Sequence, residues 1–414
     1  METTNENIPA LRFPEFNGGW ELKQLGELSS RIGDGIHSTP QYDDEGDFYF
    51  INGNNLVNGK IVTNENTRRV NSIEFEKHKR TLNRNTILLS INGTIGNLAY
   101  YNDEPVVLGK SACYINLKDV FNKTFVFNVL QSYSIQRFYN SELTGTTIKN
   151  LSLATVKNTE FHIPDIKEQQ KIASFLTAID DKILQLQKKK QLLEQYKKGV
   201  MQQIFTLKLR FKDNDGNDYP EWENKVLGEI ADVSKLAGYE FTKHIVYNDT
   251  GKIIALRGLN IKNNKLELTE VKYIDDSNLK MLSRSKLFVN DLMFTYVGTI
   301  GEVALILEND RFYLGPNVAR IRITNSQCLP IFINQYFNNA IFKNNEIKKY
   351  IATSSQPALS MTNIRKFVLN IPALEEQQKI ADFLFRIDDK YNLVSKQIEQ
   401  TQNFKKGLLQ QMFV

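Results

Sequence analysis

The chain carries one helix-like sequence twice. The stretch IPDIKEQQKIASFLTAIDDKI begins at Ile163, and IPALEEQQKIADFLFRIDDKY begins at Ile371. Fourteen of these 21 aligned positions hold the same residue, and the copies stand 208 positions apart in a chain of 414 residues. Because self-similarity at a fixed period decides the architecture of a chain, we expect two copies of one folding unit.

The repeat extends along the whole chain. WELKQLGEL at Trp20 returns as WENKVLGEI at Trp222, and INGTIGNLAY at Ile91 returns as YVGTIGEVAL at Tyr296. Between these matches, β-branched and aromatic runs bounded by Gly, Asn and Asp alternate with helices of modest length. A single core rarely grows past roughly 250–300 residues. The sequence therefore predicts an α+β fold with two similar domains of mixed strands and helices.

One match is out of order. LRF at Leu11 resembles LRF at Leu209, but the second copy follows the first helix-like segment, whereas the first copy opens the chain. The repeat is therefore circular. We expect residues 1–20 to form an N-terminal arm that packs near Val414 at the C-terminus.

Two long segments have the heptad spacing of a coiled coil, with apolar residues at alternating steps of three and four over more than four heptads. Because this apolar stripe is narrow and long, we expect it to be buried against another part of the protein. The short connection after the first helix and the equal size of the domains favour an antiparallel pair with a pseudo-two-fold axis; the alternative is that each helix packs onto its own domain. The predicted seam consists of Ile172, Leu176, Ile179, Ile183, Leu186, Leu193, Val200 and Ile204 in the first helix, and Ile380, Leu384, Ile387, Tyr391, Val394, Ile398, Leu408 and Met412 in the second.

These patterns predict six successive segments. They are the arm at 1–20, a first variable domain at 21–162, the first long helix at 163–205, a linker at 206–221, a second variable domain at 222–370 and the second long helix at 371–414.

We predict no catalytic residue and no metal site. The chain lacks a phosphate-binding P-loop, a dinucleotide-binding glycine turn and a zinc-protease helix, and its two cysteines and four histidines have no metal-ligand spacing. The segment IGDGIH at Ile32 lacks a third glycine and is interpreted as a turn. A nuclease would need clustered carboxylates; Asp218, Glu221 and Glu223 beside Lys225 offer such a group, but chance occurrence is the favoured interpretation.

Composition indicates an ordinary globular protein. Hydrophobic residues make up 41% and charged residues 24% of the chain, and no run of about 20 apolar residues could cross a bilayer. The start METTNENIPA lacks the layout of a secretory signal. A cytoplasmic location is therefore expected.

Cationic residues precede the GTIG strand in both halves. Equivalent placement indicates a shared task, and phosphate neutralisation is the natural one; the alternative is that they are solvated loops. The candidates for phosphate contact are Arg68, Arg69, Lys77, Lys79, Arg80 and Arg84 in the first half, and Lys280, Arg284 and Lys286 in the second.

The halves differ most in loops rich in Asn, Gln, Lys and Arg. Amide and guanidinium side chains can form paired hydrogen bonds with base edges in the major groove. The candidates for base readout are Asn54, Asn55, Lys60, Thr146, Lys149, Arg257, Asn260, Lys262 and Gln356.

The repeated motifs resemble those of a known family. The W-x-x-x-x-L-G-E entry, the GTIG core, the IPxxxEQQKIAxFLxxIDxK helix and the KKGxxQQxF ending, each written twice, resemble the specificity subunits of type I restriction-modification systems. The resemblance covers essentially the whole chain. It implies that the variable domains are target recognition domains, each of which reads one half of an interrupted DNA site.

The resemblance also implies partners. The two long helices would form a spacer that sets the distance between half-sites and docks two methyltransferase (modification) subunits, and restriction/translocase subunits would join that core. The chain would hold no cofactor, and S-adenosylmethionine, ATP and Mg would be bound by the partner subunits. Two alternatives remain: a coiled-coil scaffold that joins two protein-binding modules, and a stand-alone enzyme such as a nuclease.

Overall fold

The computed structural model describes residues 8–145, 149–351 and 357–414. The chain divides into two compact units: the first unit is Met1–Gln187 with Lys396–Val414, and the second unit is Lys188–Ser395. Both units mix strands and helices. The predicted α+β class is confirmed.

The first unit is built around a four-stranded antiparallel sheet of order β2-β10-β7-β8. A three-stranded sheet of order β6-β3-β9 and a β1-β11 pair accompany it. The elements in chain order are β1 (Glu21–Gln24), α1 (Leu25–Leu28), β2 (Ser29–Asp34), β3 (Phe48–Ile51), β4 (Leu56–Val57), β5 (Lys60–Ile61), β6 (Arg69–Val70), α2 (Ser72–His78), β7 (Thr86–Ser90), β8 (Leu98–Tyr100), β9 (Val106–Leu108), β10 (Ala112–Leu117), α3 (Lys123–Gln131), α4 (Tyr133–Ser141), α5 (Leu153–Lys157), β11 (Glu160–Ile163) and the long helix α6 (Ile166–Phe205).

The second unit repeats this topology. Its main sheet has the order β13-β20-β17-β18, and β12 pairs with β21 as β1 pairs with β11. Its elements are β12 (Glu223–Val226), α7 (Leu227–Ile230), β13 (Ala231–Lys235), α8 (Gly238–His244), β14 (Ile254–Leu256), β15 (Ile261–Lys262), β16 (Lys265–Leu266), β17 (Leu292–Thr295), β18 (Val303–Leu305), β19 (Phe312–Leu314), β20 (Val318–Ile323), α9 (Pro330–Phe337), α10 (Ala340–Phe342), α11 (Met361–Arg365), β21 (Val368–Ile371) and the long helix α12 (Leu374–Gln411).

Each long helix is shared between the units, and within each unit the two helices run antiparallel. In the first unit Lys405 of α12 contacts Asp180 of α6, and in the second unit Lys197 of α6 contacts Asp388 of α12. In both pairs the two residue numbers add up to 585, which is the signature of one antiparallel register. The IDDK segment of α12 thus contacts the KKG segment of α6. Likewise, the IDDK segment of α6 contacts the KKG segment of α12.

The predicted seam is largely buried, and its ends also belong to the domain cores. Twelve of its sixteen residues are buried, whereas Ile179, Leu193, Tyr391 and Ile398 are half-buried. Ile172 and Met412 pack into the core of the first unit. Helix pairing and packing onto a domain, which the sequence presented as alternatives, therefore coexist.

The described part of the N-terminal arm, residues 8–20, contacts the end of α12. The backbone N–H of Leu11 donates to the carbonyl oxygen of Gln411 at 2.8 Å, and in the second unit the N–H of Leu209 donates to Gln203 at 3.1 Å. Gln411 and Gln203 occupy the same place in the KKGxxQQxF ending. The segment around Leu11 thus reproduces the contact that the chain makes after α6.

A buried carboxylate anchors each of these contacts. Arg12 donates to both oxygens of Glu168 at 2.7 Å, and Arg210 donates to Glu376 at 2.9 and 3.3 Å. Both glutamate side chains are fully buried. The hydrogen bond to Glu376 raises the pKa of Arg210 above its usual value, so each buried carboxylate faces a permanent positive charge.

Aromatic contacts repeat in the same way. Phe13 meets Phe175 edge to face, and Phe211 meets Phe383, both with ring centroids 5.6 Å apart. Within the described part of the chain, no helix has the length and apolar character that crossing a membrane would require.

Candidate nucleic-acid interface

Two of the predicted phosphate-binding lysines lie at the end of α2 and are paired with neighbouring acids. The ammonium of Lys77 lies 3.1 Å from Glu74, and that of Lys79 lies 2.6 Å from Glu76. Both lysine side chains are more than half exposed. Glu74 is buried, whereas both members of the Lys79–Glu76 pair are more than half exposed. An exposed pair contributes only about 0–1 kcal/mol, so a phosphate could replace the Glu76 carboxylate at little cost.

Arg84 and Arg68 are the most accessible cations of this cluster. Arg84 lies 3.0 Å from Asp103 with a side chain that is 90% exposed, and Arg68 lies 3.7 Å from Asp44. The guanidinium of Arg68 also lies over the ring of Tyr42. These contacts leave both guanidinium groups open to solvent and able to reach a phosphate.

Arg69 and Arg80 serve the domain itself. Arg69 donates to the hydroxyl of Tyr49 at 2.8 Å and covers its ring. Arg80 donates to the backbone carbonyls of Asp34 and Gly35 at 3.2 and 3.0 Å and is half-buried. These donors hold the loop after β2, and the phosphate contact of Arg80 stays a prediction.

In the second unit the candidates lie around a short 3₁₀ turn. Lys280 and Arg284 are exposed, and the backbone carbonyl of Arg284 accepts a hydrogen bond from Arg320. Lys286 is paired with Asp310 at 2.5 Å. Lys280 and Arg284 are therefore the better phosphate candidates here.

The base-readout candidates of the first unit separate into exposed and buried side chains. Asn54 and Lys60 are exposed. Asn55 is buried; its amide oxygen accepts from the N–H of Asn52, and its amide nitrogen donates to the carbonyl of Val62. Its amide thus closes the turn before β4, and base readout by Asn55 stays a prediction.

Asn260 repeats this arrangement in the second unit. It is fully buried, and its amide donates to the carbonyls of Glu267 and Glu270. Base readout by Asn260 likewise stays a prediction. Arg257 is half-buried and donates to the carbonyl of Glu270, whereas Lys262 is exposed.

Lys149 is exposed. Thr146 and Gln356, the remaining candidates, lie outside the residues that the structure describes.

The carboxylates that could have formed a nuclease site do not share a site. Each has a different cation as its partner: Asp218 pairs with Lys212, Glu221 with Arg210 and Glu223 with Lys225. Among the described residues no group of three His, Cys, Asp or Glu side chains could hold a metal ion. Burial raises the pKa of the Cys113 thiol, which disfavours the thiolate that a nucleophile requires.

A group of polar side chains lies at one end of the main sheet of the first unit and was not predicted from the sequence. The group includes Asp34, Asn92, Lys110 and Asn150, which come from four separate segments. The segment containing Asp34 was interpreted only as a turn. The available signal was positional: Asp34 ends β2, Asn92 precedes the GTIG turn and Lys110 lies between β9 and β10.

Comparisons with known proteins agree with this repeated architecture. The family model of the type I restriction modification DNA specificity domain matches twice, over residues 17–195 and 219–402. The type I restriction enzyme EcoBI specificity subunit of Escherichia coli is 23% identical over 73% of this chain and 66% of its own length, just under two thirds. The MjaVIII specificity subunit of Methanocaldococcus jannaschii is 22% identical over 99% of this chain and 94% of its own.

A solved structure has the same fold. The S subunit of a type I restriction-modification system from M. genitalium superposes with a TM-score of 0.60 at 17% identity, covering 98% of this chain and 99% of that one. The family that the model describes serves in DNA target recognition, and its specificity subunits are generally non-catalytic. With two matches that together span most of its length, the chain belongs to the type I restriction modification DNA specificity domain family.

Proposed function

We propose that this chain is the DNA sequence-recognition subunit of a type I restriction-modification complex. In this role each variable domain reads one half of an interrupted target, and the paired helices hold the two domains at a set distance. Methyltransferase subunits dock on this framework and recruit restriction/translocase subunits. S-adenosylmethionine, ATP and Mg belong to those partners.

One observation carries this proposal. The two units share their sheet order, their helix contacts and their buried Arg–Glu anchors, yet they present different side chains in the surrounding loops. Two domains with the same framework but different polar loops are suited to bind DNA in the same way and to recognise two different sequences. Specificity requires direct contacts with base edges, whereas phosphate contacts position the protein.

The exposed cations support the DNA-binding part of the proposal. Lys77, Lys79 and Arg84 in the first unit and Lys280 and Arg284 in the second are accessible to an extended polyanion. Each phosphate they neutralise would release counterions, so affinity should fall steeply with salt.

The test is a domain exchange. Residues 222–370 are replaced by the recognition domain of another member of the family, the chain is expressed with its methyltransferase partner, and methylated positions are mapped across a genome. One half-site should change while the other is retained. Changes in both half-sites, or no methylation by the wild-type assembly, would refute the modular reading. A protein scaffold without DNA affinity predicts that no sequence preference appears in either case.

A further inference from the structure

A cleft of about 350 Å³ opens at one end of the main sheet of the first unit, where β2 ends, β7 ends and β10 begins. Six of its nine lining residues are polar, namely Asp34, His37, Asn92, Lys110, Asn150 and Ser152. None of these residues was predicted to contact DNA, so the cleft is a site additional to the loops discussed above.

One wall of the cleft is held rigidly. The N–H of Ile36 donates to the carbonyl of Leu108 at 2.8 Å, and Arg80 donates to the carbonyls of Asp34 and Gly35. A Cβ on Gly35 would lie 2.0 Å from the carbonyl oxygen of Leu108, so only glycine permits this approach. The loop that presents His37 is thus fixed before any ligand arrives.

The opposite wall is a pair of short segments. Asn92 forms a β-bridge with Asn150, and the N–H of Leu151 donates to the carbonyl of Ile91 at 2.9 Å. Gly93 follows with a φ of +74° and open space on its Cβ side. The turn beside Asn92 therefore has open space on that side of Gly93.

The amides of Asn92 and Asn150 are available for a ligand. Both residues are half-buried and line the cleft, and within the described part of the chain neither side-chain amide is hydrogen-bonded to another residue. An Asn amide can donate and accept at once, which matches the paired groups on an adenine edge in the major groove. The carboxylate of Asp34, 2.7 Å from His37, and the ammonium of Lys110 bring opposite charges to the lining, so the charge of the cleft does not by itself select a phosphate.

The second unit has the same frame with different chemistry. The N–H of Leu359 donates to the carbonyl of Tyr296 at 2.9 Å, as Leu151 does to Ile91. Val297 forms a β-bridge with Ala358, where the first unit pairs two asparagines. The same backbone contacts therefore position two amide side chains in the first unit and two apolar side chains in the second.

The neighbouring positions also change in character. Strand pairing places Asp34 opposite Cys113 and Lys235 opposite Ala319, so a lysine stands where the first unit has an acid. In the repeated segments VLGKSACYI and YLGPNVARI, a lysine of the first unit is matched by a proline of the second. The difference between the two sites is therefore not confined to one residue.

We propose that this sheet-end position determines base specificity in both units. Asn92 and Asn150 form hydrogen bonds to a base edge of one half-site, whereas Val297 and Ala358 make apolar contacts in the other, of the kind that a thymine methyl group accepts. This inference rests on the proposed function and adds particular residues to it.

The test transplants the residues of one unit into the other. Asn92→Val combined with Asn150→Ala introduces side chains that the same frame already holds in the second unit. The variant is assembled with the methyltransferase partner, and its preferred sequences are selected from a randomised DNA library. We expect discrimination at one or two base pairs of one half-site to fall about 10- to 100-fold, with the other half-site unchanged.

Three further variants make the outcome decisive. Val297→Asn with Ala358→Asn should alter only the other half-site. Asn92→Asp, which keeps the shape and accepts hydrogen bonds only, should shift the preference towards cytosine, whose N4 group donates. Asn66→Val, the same loss of an amide on an exposed loop, should change nothing. If the wild-type assembly selects an interrupted site and the Asn92 and Asn150 variants select the same site, this inference fails while the proposed function stands.

Discussion

Lys197 of α6 and Asp388 of α12 form a two-point ion pair in which the ammonium nitrogen lies 2.7 and 2.8 Å from the two carboxylate oxygens. Gln335 of α9 also donates to Asp388 at 3.0 Å. One carboxylate therefore ties the two long helices to each other and to the domain of the second unit. Lys405 and Asp180 form the corresponding pair in the first unit, again at 2.7 and 2.8 Å.

The first prediction concerns this pair. Asp388→Ala leaves the ammonium of Lys197, whose side chain is only 18% exposed, without its partner on an otherwise apolar seam. We expect the free energy of unfolding to fall by about 1–3 kcal/mol. Urea unfolding followed by circular dichroism measures it. Asp389→Ala is the matched control, because the neighbouring acid is exposed and points about 100° away around the helix; an equal loss in both variants would contradict the prediction.

The buried carboxylates predict a larger effect. Arg210→Met removes the guanidinium that faces Glu376, which is fully buried and also accepts from the indole N–H of Trp222 at 3.1 Å. Leaving such a charge unpaired costs about 3–5 kcal/mol. Trp222 fluorescence in a Trp20→Phe background reports unfolding at this place.

The same experiment has a rescue and a control. Adding Glu376→Gln to Arg210→Met removes the buried charge and should recover much of the lost stability. Lys212→Met removes an exposed cation two residues away and should leave stability within about 0.5 kcal/mol of the wild type. A stable Arg210→Met variant would show that Glu376 does not depend on its arginine.

A third prediction separates two adjacent asparagines. Asn55→Ala should lower stability by about 1–3 kcal/mol, because its amide satisfies two backbone groups in a buried turn. Asn54→Ala should leave stability unchanged, since Asn54 is exposed, and any effect should fall on DNA preference. Thermal unfolding and DNA selection on both variants check this; the reverse assignment would overturn it.

Asn54 and Asn55 illustrate which structural features can be predicted from the sequence and which cannot. Heptad spacing, which depends on local periodicity alone, located the long helices and most of their buried face. The sequence NN at 54 and 55 gives both residues the same chemistry, and only the distance to the carbonyl of Val62 decides which amide is used by the fold.

Pairing between charged residues that lie far apart in the sequence could not be predicted either. Glu168 and Glu376 stand in EQQ motifs that look like a solvated helix start, yet both are fully buried against arginines 156 and 166 positions away. The cleft of the first unit was not predicted for the same reason, because four short segments contribute to it. None of these segments has a distinctive sequence on its own. Patterns within one helix or strand could be interpreted from the sequence, whereas ion pairs between different elements could not.

A fourth prediction concerns salt. Lys77→Ala with Lys79→Ala should weaken binding to all DNA sequences alike and reduce the slope of log affinity against log salt by roughly 1 for each lost phosphate contact. Fluorescence anisotropy at several salt concentrations measures the slope. Lys167→Ala, an exposed lysine at the start of α6, is the control. An altered sequence preference with an unchanged slope would contradict the phosphate assignment.

The last prediction tests the long helices as a spacer. Four residues inserted between Gln187 and Lys188 turn the rest of α6 by about 400°, so its seam faces roughly 40° away from its former direction. The Asp180–Lys405 and Lys197–Asp388 pairs then cannot both form, and we expect loss of assembly or of defined half-site spacing. Seven residues inserted there and seven between Ser395 and Lys396 keep the seams aligned within about 20°. They lengthen both helices by about 10.5 Å, which corresponds to about three base pairs of DNA at 3.4 Å each. Methylation mapping should show a target interrupted by about three more base pairs, with both half-sites retained. An unchanged gap with full activity after either insertion would show that these helices do not set the spacing.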